Sequence, residues 1–135
     1  MRKIKIVIAD DFAPVREIWK IILNADPRIE IAGECANGKE VLETLESVDA
    51  DVVLLDINMS PINGFEASER IREKYEHVKI LGISVHNDPY YAKRLLEIGA
   101  HGFIPKTSRK DEMIRAILQV YKGSHYVSEE VKLVQ

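Results

Sequence analysis

The stretch Asp51-Val52-Val53-Leu54-Leu55-Asp56-Ile57-Asn58-Met59-Ser60-Pro61-Ile62-Asn63-Gly64 decides how this chain folds. A β-branched apolar run stops on one carboxylate, and a loop with turn chemistry follows. Strands of a parallel sheet are buried on both faces and read as continuous apolar runs. Their carboxyl ends are where open α/β sheets place ligands. A second run, Ile4 to Ala9, ends in the same way on Asp10 and Asp11. If the two strands are neighbours, these carboxylates converge at one edge of the sheet.

Outward from these runs, strand and helix patterns alternate. After Asp10-Asp11, Pro14 suits a first helical turn, and Val15, Ile18, Trp19 and Ile22 form the stripe of a core-facing helix. Ile29 to Ala36 reads as a second, shorter strand, and Asn37-Gly38 as a turn before a helix burying Val41, Leu42, Leu45 and Val48. A helix from about Phe65 to Tyr75 follows the central loop, with a charged solvated face. Lys79 to Ser84 is the fourth strand. Asp88-Pro89 opens a helix that Gly99 closes, His101 to Ile104 is a short fifth strand, and Ser108-Arg109-Lys110-Asp111 resembles a capping box. The helix it opens carries Met113, Ile114, Ile117, Leu118, Val120 and Tyr121 and ends at Gly123. That apolar band is wider than one sheet face needs, so a dimer or interdomain surface is expected there. Ser128-Glu129-Glu130 is a further helix start. Five βα units with short connections predict an α/β fold: a parallel sheet with helices on both faces.

The chain has 135 residues, enough for one domain that needs no disulfide or structural metal to fold. Its 19 basic and 22 acidic side chains give a net charge of −3, which argues against direct nucleic-acid binding by this segment. Cys35, the single cysteine, reads as a small buried apolar residue. No apolar run has the length of a membrane span, and the N-terminus lacks the long apolar region of a signal peptide. A cytoplasmic location without membrane association is the expectation. The four histidines, His77, His86, His101 and His125, lack metal-ligand spacing and read as surface or loop residues, with His86 close enough to Ser84 to sit over its strand end.

The polar residues at the predicted strand ends are Asp10, Asp11, Asp56, Ser84 and Lys106. Clustered carboxylates raise one another's pKa unless a cation neutralises them. Oxygen ligands without nearby His or Cys favour Mg²⁺. A Mg²⁺ site with a hydroxyl and an amine suits an anionic phosphoryl group, for which Asp56 is the candidate nucleophile. Taken singly, each residue also has a plain reading: Asp10 or Asp11 as a helix cap, Ser84 as a strand-end hydroxyl, Lys106 as a surface lysine.

These residues carry a resemblance. Asp10-Asp11, Asp56 with Gly64 after it, Ser84, and Gly102-Phe103-Ile104-Pro105-Lys106 resemble the signature of response-regulator receiver domains of two-component signalling, over residues 4 to 122. Ser84-Val85, Gly99-Ala100, Gly102-Phe103 and the tail after Gly123 are most similar to the NarL/LuxR-type subgroup. The resemblance implies a flavodoxin-like (βα)5 receiver fold, with five strands in the order 2-1-3-4-5. It implies that Asp56 accepts a phosphoryl group from a sensor histidine kinase. Asp11, Asp56 and the backbone carbonyl of Asn58 would bind Mg²⁺ directly, with Asp10 acting through water. Ser84 and Lys106 would hold the phosphoryl group, and Phe103 would be the switch aromatic. Residues 1–123 would form the receiver domain and 124–135 a tail or the start of a linker. Control of transcription would then pass through a C-terminal DNA-binding domain outside this chain. Two positions depart from the family pattern: Ser60-Pro61 where proline commonly comes one residue earlier, and Thr107 after Lys106 where proline is frequent. The first leaves the path of the loop open, and the second leaves the Lys106–Thr107 bond open between cis and trans.

Two other classes fit less of the pattern. A phosphatase with an aspartyl-phosphate intermediate would need a further acid close after Asp56, and none is there. A single-domain or phosphorylation-independent pseudo-receiver acting through protein contacts would have no use for the full set of acids, hydroxyl and lysine. The expectation is therefore a signalling module that modifies only itself, by Mg²⁺-dependent phosphorylation and autodephosphorylation, rather than an enzyme with turnover.

Overall fold

The continuous apolar runs are explained by a sheet covered on both sides. The computed structural model describes residues 2–85 and 89–132. In chain order the elements are β1 (Ile4–Ala9), α1 (Ala13–Asn24), β2 (Ile29–Cys35), α2 (Gly38–Leu45), β3 (Val52–Asp56) and α3 (Gly64–Lys74). They continue with β4 (Lys79–Ser84), α4 (Pro89–Ile98), β5 (Gly102–Pro105), α5 (Lys110–Tyr121), β6 (Tyr126–Val127) and α6 (Glu129–Lys132). The strand order is β2-β1-β3-β4-β5-β6, and every pair is parallel. The first five strands have the expected order 2-1-3-4-5. The sixth comes from the tail after Gly123, where no strand was expected.

Alternation along β1 and β3 splits the core in two. Val7, Ala9, Val53 and Leu55 meet α2, α3 and α4 through Val41, Leu45, Ile71 and Leu95. Ile6, Ile8, Val52 and Leu54 meet α1 and α5 through Trp19, Leu23, Met113 and Ile117. All five residues of β3 are buried, which is why its sequence shows no polar alternation. At roughly 1.5–3 kcal/mol for each fully buried large aliphatic side chain, this double layer is the main source of stability.

Several local expectations need correction. β2, with seven residues, is longer than β1 with six. Its register with β1 shifts between Ile6 and Val7, so the longer strand absorbs an extra residue as an irregularity in the pairing. Ile18 does not face the core: it is 56% exposed, and Trp19 and Leu23 carry the buried stripe of α1. The residue that caps α5 is Arg109, without a side-chain bond, so no capping box forms at Ser108. The band on α5 is largely absorbed by its own domain, because Ile114 and Leu118 pack against the second core cluster and Tyr121 alone is exposed. His101, read as a surface or loop residue and as the start of the fifth strand, lies in the loop just before β5 and is half-buried, and its Nδ1 accepts a bond from the Ile80 amide at 3.1 Å. The readings made for His86 and for the Asp88 cap fall outside the described residues.

Other signals hold. Asn37, read as part of a turn, caps α2 by accepting from the Glu40 amide at 2.9 Å. Asn63 caps α3 in the same way. Gly99 and Gly123 have φ of 118° and 97°, the left-handed conformation that ends α4 and α5. Cys35 is buried, and burial pushes its thiol pKa up. Among the described residues no helix is long and apolar enough to cross a membrane.

Candidate functional site

β1 and β3 are neighbours, so their acidic ends meet. Asp10, Asp11 and Asp56 each offer a carboxylate oxygen, and these lie within 4.8 Å of one another. Asp10 and Asp56 are 0% and 1% exposed, while Asp11 faces solvent. The end of β5 supplies the cation. Lys106 Nζ lies 2.6 Å from Asp10 Oδ2 and 3.2 Å from Asp56 Oδ2. β4 contributes Ser84, fully buried, whose Oγ donates to Asn58 Oδ1 at 3.1 Å. All five strand-end residues singled out from the sequence therefore come together.

Two short backbone contacts aim the acids. The Phe12 amide donates to Asp10 Oδ1 at 2.8 Å, and the Asn58 amide donates to Asp56 Oδ1 at 2.9 Å. Each is the i to i+2 bond that Asp makes readily in turns. Burial pushes the Asp56 pKa up, and the neighbouring Asp10 adds to this. The Asn58 amide and Lys106 work in the opposite direction. Burial also works against the Lys106 ammonium, but Asp10 and Asp56 outweigh it and hold its pKa above the ordinary lysine value. The site is thus short of positive charge. Asp10 Oδ2 is buried and, despite the nearby ammonium, accepts no well-angled hydrogen bond. An oxygen-only set with an underused buried carboxylate fits a hard divalent cation.

Residues 6–118 match the sequence profile described as the response regulator receiver domain. The chain belongs to that family. It is a response regulator receiver domain of two-component signalling, and its likeness to the following proteins supports the NarL/LuxR-type subgroup. It is 37% identical over 129 residues to the transcriptional regulatory protein DegU of Brevibacillus brevis, a match covering 96% of this chain and 55% of that protein. A LuxR-family two-component response regulator from Aurantimonas sp. SI85-9A1 superimposes with a TM-score of 0.92 at 25% identity, covering 97% of this chain and 94% of the other. The receiver domain of the putative response regulator NarL from Mycobacterium tuberculosis gives a TM-score of 0.84 at 31% identity, covering 91% and 99% respectively. The chain therefore spans about half the length of the DegU protein it matches.

Within the receiver domain, Phe103 is fully buried in the first core cluster. The two departures now have definite geometry. Ser60–Pro61 is cis, the one cis bond among the described residues, and Lys106–Thr107 is trans. Two contacts were not legible beforehand. The Asn58 side chain is the acceptor for Ser84, whereas sequence reading used only its backbone carbonyl. Arg16 donates to the Asp10 carbonyl at 2.6 Å, which ties α1 to the end of β1. One turn of helix separates Arg16 from the acidic pair, and that spacing was the only available signal.

Proposed function

We propose that this receiver domain accepts a phosphoryl group on Asp56 from the phosphohistidine of a sensor histidine kinase. The observation that carries the proposal is the buried Asp56 carboxylate, flanked by Lys106 Nζ and the Asn58 amide, with Asp10 and Asp11 beside it. One Asp56 oxygen attacks phosphorus, the P–O bond forms, and the P–N bond breaks with its electron pair leaving on the imidazole nitrogen. Asp11, Asp56 and the Asn58 carbonyl would hold Mg²⁺, with Asp10 acting through water. The ion would supply charge neutralisation for the acids and the incoming phosphoryl group.

Lys106, now on Asp10 and Asp56, then turns to the phosphoryl oxygens. Ser84 exchanges Asn58 Oδ1 for a phosphoryl oxygen, and Phe103, at the centre of β5, follows it. Such a switch needs only a few kcal/mol of preference between two conformers. The domain modifies itself rather than turning over separate substrates. We place residues 1–123 as the receiver and 124–135 as the connection towards an output. In this reading the protein is cytoplasmic and acts on transcription as a homodimer, through a C-terminal DNA-binding domain outside the residues given, in keeping with its likeness to the transcriptional regulatory protein DegU.

Acetyl phosphate with Mg²⁺ tests the chemistry. The unsubstituted chain is expected to gain one phosphoryl group and Asp56→Asn none. An unlabelled chain, or an equally labelled Asp56→Asn, contradicts the proposal.

A further inference from the structure

We infer that Gly38 is a positioning residue for this phosphoryl transfer, because it sets where the loop over Asp56 can lie. The inference rests on the reading of Asp56 given above. Residues 57–63 connect β3 to α3. Ser60, Pro61 and Asn63 are exposed, whereas Ile62 is half-buried and packs against the first core cluster. Ile62 comes down on the first residue of α2. A Cβ at Gly38 would lie 2.5 Å from the Ile62 carbonyl oxygen and 2.9 Å from Ile62 Cβ and Cγ2. The nearest of these atoms is backbone, so rotating a side chain cannot make room. Either the loop or the helix must move.

Glycine at this position is explained by space and not by conformation, since the left-handed residues are Gly99 and Gly123. It is also a poor helix former, so without the close approach alanine would be the better residue there. The other end of the loop is held in the same way. A Cβ at Gly64 would lie 2.4 Å from Ile57 Cα and 2.8 Å from the Asp56 carbonyl oxygen. Two glycines therefore clamp a loop whose second residue, Asn58, touches both Asp56 and Ser84. The Asn58 amide donates to Asp56 Oδ1, and the Asn58 side chain accepts from Ser84. Displacing Ile62 shifts both contacts. A misplacement of about 1 Å in a reacting geometry costs roughly 100-fold in rate.

The test compares Gly38→Ala, Ile62→Ala and the unsubstituted chain in acetyl phosphate labelling across a Mg²⁺ series, with thermal melts alongside. Gly38→Ala is expected to label at least about 10-fold more slowly at saturating Mg²⁺ and acetyl phosphate, while still melting cooperatively. Ile62→Gly in the Gly38→Ala background removes two of the three close contacts and is expected to restore part of the rate. A purely structural role for Gly38 would leave the saturating rate of the folded variant unchanged. Equal rates for Gly38→Ala and the unsubstituted chain overturn this inference alone. No labelling of the unsubstituted chain overturns the Asp56 reading and this inference with it. Should Gly38→Ala fail to fold, Ile62→Ala decides: a slowed rate in a folded chain supports loop positioning, and an unchanged rate overturns it.

Discussion

Asp10 and Asp56 are almost completely withdrawn from solvent, whereas Asp11 is exposed. Removing Asp10 or Asp56 would leave the Lys106 ammonium with a missing partner, and stability and metal binding would change together. Asp11 separates the two effects, because an exposed carboxylate contributes little to folding. Adding Mg²⁺ should therefore raise the melting temperature of the unsubstituted chain, by a stability increment of about 2.7 kcal/mol at a hundredfold excess over Kd. Asp11→Ala should melt close to the unsubstituted chain without Mg²⁺ and lose most of the increment with it. Equal increments in the two proteins, read by thermal melts with and without chelator, would remove Asp11 from the metal site.

At the scale of elements, the end of the described chain is part of the fold. β6 pairs with β5, matching Tyr126 to Gly102 and Val127 to Phe103. The Ser128 amide donates to the Phe103 carbonyl at 3.2 Å, and Val131 of α6 is fully buried in the first core cluster. Val131→Ala should lower stability by about 1–3 kcal/mol in urea denaturation, the cost of a small cavity in a packed core. An unchanged midpoint would mean that α6 does not dock in solution. The same region holds a pH-sensitive group. His101 stacks on His125 at 6.0 Å and is pushed down to about 4 by burial, with Lys79, Arg72 and His125 adding to the effect. Below the ordinary value of 6.5 the unfolded chain takes up a proton that the folded chain refuses. Stability from this group is thus complete above pH 6.5 and is lost as pH falls towards 4. His101→Asn keeps an acceptor for the Ile80 amide and does not titrate. Its melting temperature should fall less over that interval, and parallel curves for the two proteins would contradict the assignment.

For the whole molecule, the decisive property is a topology that gathers residues far apart in sequence. Asp56 and Ser84 end β3 and β4, Asp10 and Lys106 follow β1 and β5, and the parallel order brings these ends side by side. This much was legible because a strand buried on both faces is an apolar run and its first polar residue is conspicuous. Features that depend on partners in space were not legible. Ile18 has the helical spacing of a core residue, but the turn of α1 relative to the sheet puts it outside. Tyr126-Val127 is too short to show alternation and becomes a strand only because β5 offers a free edge. Asn37-Gly38 reads as a turn signal, yet Gly38 is explained by Ile62, twenty-four positions away.

Of the three carboxylates at one edge of the sheet, we propose that Asp56 alone takes the phosphoryl group. Acyl phosphates are reduced by borohydride, which converts the modified aspartate to homoserine, so the modified position can be read by peptide sequencing after labelling with acetyl phosphate and Mg²⁺. Homoserine at position 56, with Asp10 and Asp11 intact, is the expected result. Homoserine at position 10 or 11 instead, or at none of the three, would mean that Asp56 is not the acceptor.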